Sequence, residues 1–205
     1  MSILSNHSFY WGVTYESAVD GICKYNIDSN GNLIITQNMD FSHAFDDITS
    51  IYDNGLQYSF YGCSGITGSI NFPALTSVNY NGFDHTFTGC TGITSVSFPN
   101  LIRVNHDSMR HTFTGCTGIT SVSFPKLTTI DNYGMEYTFG DCTNLISAYF
   151  PELVNLDSYG LYATFYGCYN LRELHFKESS KSTIEAADDY YYKFSAENAI
   201  IYFDL

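Results

Sequence analysis

Apolar side chains recur along the chain at a nearly constant spacing. Consecutive cysteines in the central region lie 27, 26, 26 and 26 residues apart, and the four prolines are all 26 residues apart. The extra residue lies before the first proline, and we assign it to Gly68. Such a period predicts a solenoid, because one coil alone cannot bury its apolar face whereas stacked coils bury a continuous one.

Alternation of apolar and polar residues within one coil predicts its elements. Ile93, Val96 and Phe98 form the inward face of a strand whose serines point outward. A second inward pair follows the proline. Met109 and Phe113 are four residues apart, which predicts one short helical turn. Each coil is therefore predicted to contain a strand, a proline corner, a short strand and a short helical turn.

The repeated motif A/T-F-x-x-C-x-x-L-x-x-I-x-F-P resembles the BspA-type leucine-rich repeat of bacterial surface proteins and of some protist and phage proteins. The resemblance covers residues 45–176, although the coil is longer than the usual family coil. It implies a mainly β fold: a leucine-rich-repeat solenoid of about five 26-residue coils with short helical turns, capped at both ends. The function that it implies is binding and adhesion rather than a shared chemistry.

Both ends of the chain depart from the repeat and are predicted to be caps. Asn30 and Gly31, between alternating apolar runs, predict a β-hairpin. Residues 185–194 are predicted to form a short helix, and 199–203 a final strand. The predicted division is an N-terminal cap with the hairpin, a solenoid and a C-terminal cap, at residues 1–40, 41–176 and 177–205.

Composition narrows the classes of partner. With 8 Lys and Arg against 21 Asp and Glu the net charge is −13, so we expect no nucleic-acid surface, which needs clustered basic residues. No apolar run is long enough to cross a membrane, and we expect no membrane insertion. The first residues, MSILSNHSFYWGVTY, lack the features of a secretory leader, so we expect no export by the ordinary route.

Five cysteines and five phenylalanines recur once per coil and are predicted to form structural columns. Cysteines of neighbouring coils would stack with parallel side chains, a poor geometry for disulfides. We therefore expect buried free thiols that act as small apolar side chains, which suits folding in a reducing compartment. The residues are Cys63, Cys90, Cys116, Cys142 and Cys168, with Phe60, Phe87, Phe113, Phe139 and Phe165.

Polar columns suggest little metal or cofactor chemistry. His85 and His111 share a column that lacks a carboxylate, and we predict no metal and no cofactor. In another column, Asp131 and Asp157 would either hold Ca²⁺ or continue a series of turn-capping side chains begun by Asn79 and Asn105. A third column alternates in charge and predicts inter-coil salt bridges: Asp84, Arg110 and Glu136.

Surface aromatic residues are the candidates for binding. Tyr133, Tyr159, Tyr162 and His106 fall at the end of the coil that carries the helical turn, and Tyr149 falls on the strand face. Tyrosine combines apolar area with a polar tip and suits protein or glycan contact. The alternative is that an aromatic-rich solenoid exposes some tyrosines without function. We find no catalytic motif, and we predict that the protein is not an enzyme.

The function predicted from these features is a non-catalytic binding or structural module. We expect a phage virion appendage or decoration protein that contacts the host surface or other virion subunits, because particles assemble in the cytoplasm, where cysteines stay reduced. The alternative is a cell-surface adhesin or an intracellular protein-interaction scaffold. The expected partner is a protein or glycan on a cell surface, or another virion protein, and the serine-rich strand face would suit a homo-oligomer.

Overall fold

The structure is a computed structural model that describes residues 44–186, 195 and 198–204, together with the backbone of three short strands nearer the N-terminus. The coils stack so that strands of neighbouring coils pair in parallel, and the predicted mainly β solenoid is confirmed. In chain order the strands are β1 (Tyr25–Ile27), β2 (Leu33–Ile35), β3 (Met39–Asp40), β4 (Ser50–Ile51), β5 (Ile66–Asn71), β6 (Ser77–Val78), β7 (Ile93–Ser97), β8 (Arg103–Val104), β9 (Ser121–Ser123), β10 (Thr129–Ile130), β11 (Ser147–Phe150), β12 (Asn155–Leu156), β13 (Glu173–Phe176) and β14 (Ile200–Phe203).

Each coil contributes two strands to the solenoid wall. The first strands of the coils form one sheet in the order β3-β5-β7 and another in the order β9-β11-β13-β14. The second strands, of two residues each, form a third sheet, β4-β6-β8-β10-β12. The pairing of β5 with β7 shifts register between Gly68 and Ser69, and Gly68 has a φ of 81°. The extra residue predicted at Gly68 is thus a β-bulge that restores the register of the following coils.

Two series of stacked phenylalanine rings fill the interior. The first, the inner phenylalanine series, has ring centroids 5.2–6.0 Å apart and planes within 8° of parallel: Phe60, Phe87, Phe113, Phe139 and Phe165. The second has centroids 4.3–5.7 Å apart: Phe45, Phe72, Phe98, Phe124, Phe150 and Phe176. All of these rings are buried, so each coil covers the apolar face of the next.

The five cysteines of the column are buried as well, and none of them forms a disulfide in the described part of the chain. Cys116 Sγ donates a hydrogen bond to the Phe87 carbonyl oxygen of the preceding coil at 3.2 Å, and Cys142 and Cys168 make the equivalent bond. Burial raises the pKa of the Cys168 thiol to about 12, and it raises the pKa of Cys116 as well. The thiols are therefore protonated hydrogen-bond donors inside the core.

The segment predicted as a helical turn is instead a run of consecutive turns bonded to the next coil. His111 N–H donates to the Glu136 carbonyl of the next coil at 2.9 Å, while Thr112 N–H donates to Met109 in its own coil at 3.2 Å. The next residue, Phe113, again donates to the following coil at 2.8 Å. His111 has a φ of 50°, which an α-helix cannot contain. The helical-turn prediction is wrong because every second N–H serves a neighbouring coil.

At the ends of the chain, the predicted hairpin and final strand are confirmed. Strands β1 and β2 pair antiparallel, and β14 pairs in parallel with β13. A 3-10 helix (Glu178–Ser180) leads into α1 (Lys181–Ala186), which begins before the predicted helix and buries Ile184. Residues 187–194 of that prediction lie outside the described residues, and the three-part domain division stays a prediction. In the described part of the chain no helix is long and apolar enough to cross a bilayer.

Candidate functional site

The consecutive turns form an outer face on which every fourth residue has a left-handed backbone. In the fourth such segment these residues are Tyr133, Tyr137 and Asp141, with φ of 53°, 50° and 56°. Between them Met135 and Phe139 are fully buried, so the left-handed residues carry the outward side chains. This conformation costs most non-glycine residues about 1 kcal/mol or more.

One outward column changes its residue type from coil to coil. It begins with Asn54 and Asn81, continues with Asp107, and ends with Tyr133 and Tyr159, all at φ between 50° and 60°. Asn and Asp enter the left-handed region most readily among non-glycine residues, whereas a bulky tyrosine does not. Backbone preference therefore explains the first three residues of the column but not the two tyrosines.

Five tyrosines meet at the C-terminal end of this face, and we call them the tyrosine cluster: Tyr133, Tyr137, Tyr159, Tyr162 and Tyr166. The rings of Tyr133 and Tyr159 stack with centroids 5.1 Å apart and planes 6° from parallel. Tyr162 sets its ring nearly perpendicular to both, with centroids 6.4 and 5.9 Å away. These stacked and edge-to-face arrangements are the favourable geometries of aromatic pairs.

Tyr137 and Tyr166 extend the cluster and were not among the residues predicted from sequence. Their ring centroids are 5.6 Å apart, and Tyr137 also lies edge-to-face with Tyr162 at 6.4 Å. Tyr166 is 51% exposed. Tyr137 lies one 26-residue period after His111, so the spacing of the column would have identified Tyr137 as part of this surface.

The structure brings four of the five predicted binding residues together. Tyr133, Tyr159 and Tyr162 touch one another, and His106 lies at the edge, 6.4 Å from Tyr133 between ring centroids. His106 Nδ1 is 2.8 Å from Asp107 Oδ2. The fifth residue, Tyr149 on β11, belongs to a separate stacked series on the strand face with His175 and Tyr202, at centroid distances of 4.6 and 4.7 Å.

A second stacked series leads into the cluster along the same face, and we call it the outer aromatic series: Tyr58, His85, His111 and Tyr137. Its ring centroids are 4.4–4.9 Å apart and its planes lie within 15° of parallel. In the next coil the position is occupied by Ala163, where the series ends. The two histidines of this column stack directly on each other, with ring centroids 4.4 Å apart.

Threonine hydroxyls fix the imidazole tautomer of these histidines. Thr114 Oγ1 donates to the Tyr137 carbonyl at 2.8 Å and lies 3.3 Å from His111 Nδ1. The hydroxyl proton is used on the carbonyl, so we assign the other bond to an N–H on His111 Nδ1. Burial, followed by the charges of His85 and Arg110, lowers the pKa of His111 to about 4. His111 is therefore neutral at physiological pH.

Only part of the predicted charge alternation forms an ion pair. Arg110 Nε lies 3.1 Å from Glu136 Oε2, as the column spacing predicts. Asp84, which was expected to pair with Arg110, instead accepts a hydrogen bond from Gln57 Nε2 at 2.9 Å. Its other oxygen lies 3.8 Å from His85 Nε2. Burial raises the pKa of Glu136, and the Arg110 charge opposes that effect.

The Asn and Asp column is held by hydrogen bonds and by one arginine. Arg103 donates to both carboxylate oxygens of Asp131 at 2.7 Å, and Asn105 Nδ2 donates to Asn79 Oδ1 at 3.1 Å. Within residues 44–186, 195 and 198–204, no three His, Cys, Asp or Glu side chains group as metal ligands. The Asp131 carboxylate is thus held by an arginine, and both turn capping and calcium binding by this column stay predictions. Asp157 is exposed.

Comparison with known proteins agrees with the repeat geometry. A family model described as "BspA type Leucine rich repeat region" matches six copies over residues 56–195. A solved structure described as T. pallidum leucine-rich repeat protein is similar, with 19% sequence identity and a TM-score of 0.45; the match covers 75% of this chain and 68% of that one. No curated protein matches the chain.

Proposed function

Because the chain belongs to the BspA-type leucine-rich repeat family, whose solenoids are typically non-catalytic and suggest protein binding, we propose that it is a non-catalytic module whose tyrosine cluster contacts a partner on a cell surface. The observation that carries this proposal is the placement of Tyr133 and Tyr159 at left-handed positions where earlier coils have asparagine or aspartate. Unfavourable backbone positions that hold bulky side chains are a recurrent property of functional sites.

The backbone under the cluster supports this role because it is fixed before any partner arrives. Met135 N–H donates to the Gly160 carbonyl of the next coil at 2.9 Å, and Tyr137 N–H donates to Tyr162 at 3.2 Å. Rings on such a scaffold lose little conformational freedom on binding, since a tyrosine side chain has only two rotatable angles that position its ring. The cluster therefore offers a large contact area at a low entropic cost.

The test replaces the two rings by the residue that the same column uses elsewhere. Fluorescently labelled protein is titrated onto intact cells of the producing organism or its host, alongside the double variant Tyr133→Asn, Tyr159→Asn. We expect saturable binding by the native protein and at least a tenfold loss in the variant. Tyr149→Ala, on the separate strand-face series, is the matched control and should bind like the native protein. Equal binding by the double variant refutes the cluster as the contact surface.

The biological setting is a separate proposal with two candidates. Five buried cysteines that form no disulfide suit assembly in a reducing cytoplasm, which supports a virion appendage or decoration protein. The alternative is a cell-surface adhesin, or an intracellular interaction scaffold. Mass spectrometry of purified particles and of separated cell fractions distinguishes them: stoichiometric recovery in particles supports the virion proposal, and recovery in the envelope fraction alone refutes it.

Self-association through the serine-rich strand face is proposed as a further property of the module. Ser69 and Ser95 Oγ atoms on this face are 2.6 Å apart across neighbouring coils, so these small outward side chains lie close together. Analytical ultracentrifugation tests this proposal. A concentration-dependent dimer that Ser95→Lys disrupts supports it, whereas a monomer at all concentrations refutes it.

A further inference from the structure

Carboxylates lie in or next to the turn segments that carry the tyrosine cluster: Asp131, Glu136, Asp141 and Asp157. Partial burial raises the pKa of the Tyr133 hydroxyl, and the nearby Glu136 and Asp107 carboxylates raise it further. Burial likewise raises the pKa of Tyr137, with Glu136 and Asp141 among the additional causes. The aromatic rings, whose faces are themselves electronegative, therefore lie in a negative field.

Arginines from preceding coils neutralise some of the carboxylates on this side of the solenoid. Arg103 pairs with Asp131 in the next coil at 2.7 Å, and Arg110 pairs with Glu136 in the next coil at 3.1 Å. Each arginine thus places its guanidinium against a carboxylate of the following coil. The fold itself shows how a guanidinium is held between coils on this surface.

The coil in which the tyrosine cluster begins contains no arginine that could pair with a carboxylate of the following coil. Thr129 occupies the position of Arg103 one coil later, and exposed Asp157 has the position of Asp131. Within residues 44–186, 195 and 198–204, the carboxylates of Asp157 and Asp141 make no ion pair. The C-terminal coils therefore combine carboxylates that make no ion pair with tyrosine rings that are half-buried or, at Tyr166, exposed.

We infer that the tyrosine cluster recognises an arginine-bearing segment of a partner protein. This inference rests on the proposed function and names the chemistry of its partner. A guanidinium stacks on tyrosine faces and forms paired hydrogen bonds with a carboxylate, as Arg103 does with Asp131. The net charge of −13 adds long-range attraction for a basic segment. Lysine, a strongly hydrated point charge, satisfies the same surface less well.

Peptide titrations against the full chain test the inference. The probe is a fluorescein-labelled peptide of alternating arginine and glycine, with citrulline and lysine counterparts as controls, followed by fluorescence anisotropy. We expect the arginine peptide to bind more tightly than the lysine peptide and the neutral citrulline peptide not to bind. Tyr133→Asn and Tyr159→Asn should each weaken arginine-peptide binding about two- to fivefold, the effect of one exposed cation–π contact.

Further variants separate the cluster from the overall charge. Asp157→Asn should weaken binding and reduce its dependence on salt, because one ion pair with the peptide is lost. Asp46→Asn also removes one carboxylate, in the first coil and far along the chain from the cluster, and should leave the affinity nearly unchanged. Tyr149→Ala, on the separate strand-face series, should likewise leave the affinity nearly unchanged. Unfolding temperatures of all variants establish that each one is folded.

Each result has a distinct meaning for the two proposals. Peptide binding that the Asn variants do not weaken reflects net charge alone and overturns the arginine inference. Equal binding of the citrulline peptide overturns it as well, as does the absence of arginine-peptide binding. If cell binding still depends on Tyr133 and Tyr159 in any of these cases, the proposed function stands without this partner chemistry. If cell binding is independent of both rings, the proposed function fails.

Discussion

Two series of stacked rings run side by side along the solenoid, and their difference separates stability from recognition. In one coil Tyr58 belongs to the outer aromatic series and Phe60 to the inner phenylalanine series. The outer rings stack slightly closer, at 4.4–4.9 Å against 5.2–6.0 Å, yet Tyr58 is 43% exposed and Phe60 only 3%. The inner position is phenylalanine in all five coils, whereas the outer position is tyrosine, histidine, histidine, tyrosine and alanine in turn. Stacking geometry is therefore common to both series, and burial decides how much a ring contributes to the stability of the fold.

The largest effect should come from removing an inner ring. Phe113→Ala deletes a fully buried side chain stacked between Phe87 and Phe139. We expect a loss of about 3–5 kcal/mol in the free energy of unfolding, because burial is lost and a cavity remains. Urea unfolding followed by circular dichroism measures it. Phe113→Leu is the matched control and should lose much less, and a Phe113→Ala protein as stable as the native one would contradict the stacked core.

A smaller loss should follow from the buried threonines that join the coils. Thr112 Oγ1 donates to the Phe83 carbonyl oxygen at 3.0 Å, and the side chain is fully buried. Thr112→Val keeps the shape and removes the hydroxyl. The Phe83 carbonyl retains its bond from Thr86 N–H, so we expect a loss of about 1 kcal/mol. Thr128→Val is the control, because the hydrogen bond of the Thr128 hydroxyl is exposed to solvent. An equal loss of stability in both variants would show that burial of the hydrogen bond makes no difference.

Acid should weaken the outer aromatic series without affecting the inner one. Burial lowers the pKa of His85, and it lowers that of His111 to about 4, from an ordinary value of 6.5. The folded state therefore binds these protons less readily than the unfolded state does. Their contribution to stability is fully present above about pH 6.5 and declines as the pH falls towards 4.

The double variant His85→Tyr, His111→Tyr isolates that decline. Tyrosine already occupies both flanking positions of the series, so the stack is retained while the titration is removed. Between pH 7 and pH 5 the native protein should lose more stability than the variant, as measured by urea unfolding at each pH. Parallel pH profiles would show that the histidines do not titrate differently on folding.

The smallest change in stability should come from the outward tyrosines of the cluster. Tyr133→Asn with Tyr159→Asn loses one stacked pair but places asparagine at two left-handed positions, as in Asn54 and Asn81. We expect the free energy of unfolding to stay within about 0.5 kcal/mol of the native value. Thermal unfolding provides the measurement. A much larger loss would mean that these two rings hold the fold together rather than serve recognition.

The interior was predictable from the sequence because the repeat superimposes its apolar positions. The inward residues of the strands, the bulge at Gly68 and the phenylalanine columns all follow from the 26-residue spacing. The turn segment was not predictable in the same way. Met109 and Phe113 point inward both in a helix and in the observed turns, so their spacing does not distinguish the two. The positive φ of His111 between them decides against a helix, and the preference of histidine for the left-handed region is too weak to predict it from sequence.

The outer surface was only partly predictable. Columns placed Tyr133 near Tyr159 and Arg110 near Glu136, since both pairs are related by one period. They did not show that Asp84 turns towards Gln57, because side-chain rotation is not set by the period. Assigning a residue to a column is therefore secure, whereas its contacts on the outside depend on neighbours that differ from coil to coil.

The cysteine column makes the local unfolding of each coil measurable by chemical labelling. Each coil from Cys63 to Cys168 contains one protonated, buried thiol, and alkylating reagents attack only an exposed thiolate. Alkylation of each cysteine, followed site by site with peptide mass spectrometry, therefore reports how often that one coil opens. In an array stabilised by nearest neighbours, coils near an end open more often than central ones. The five rates would map cooperativity along the chain without any engineered probe.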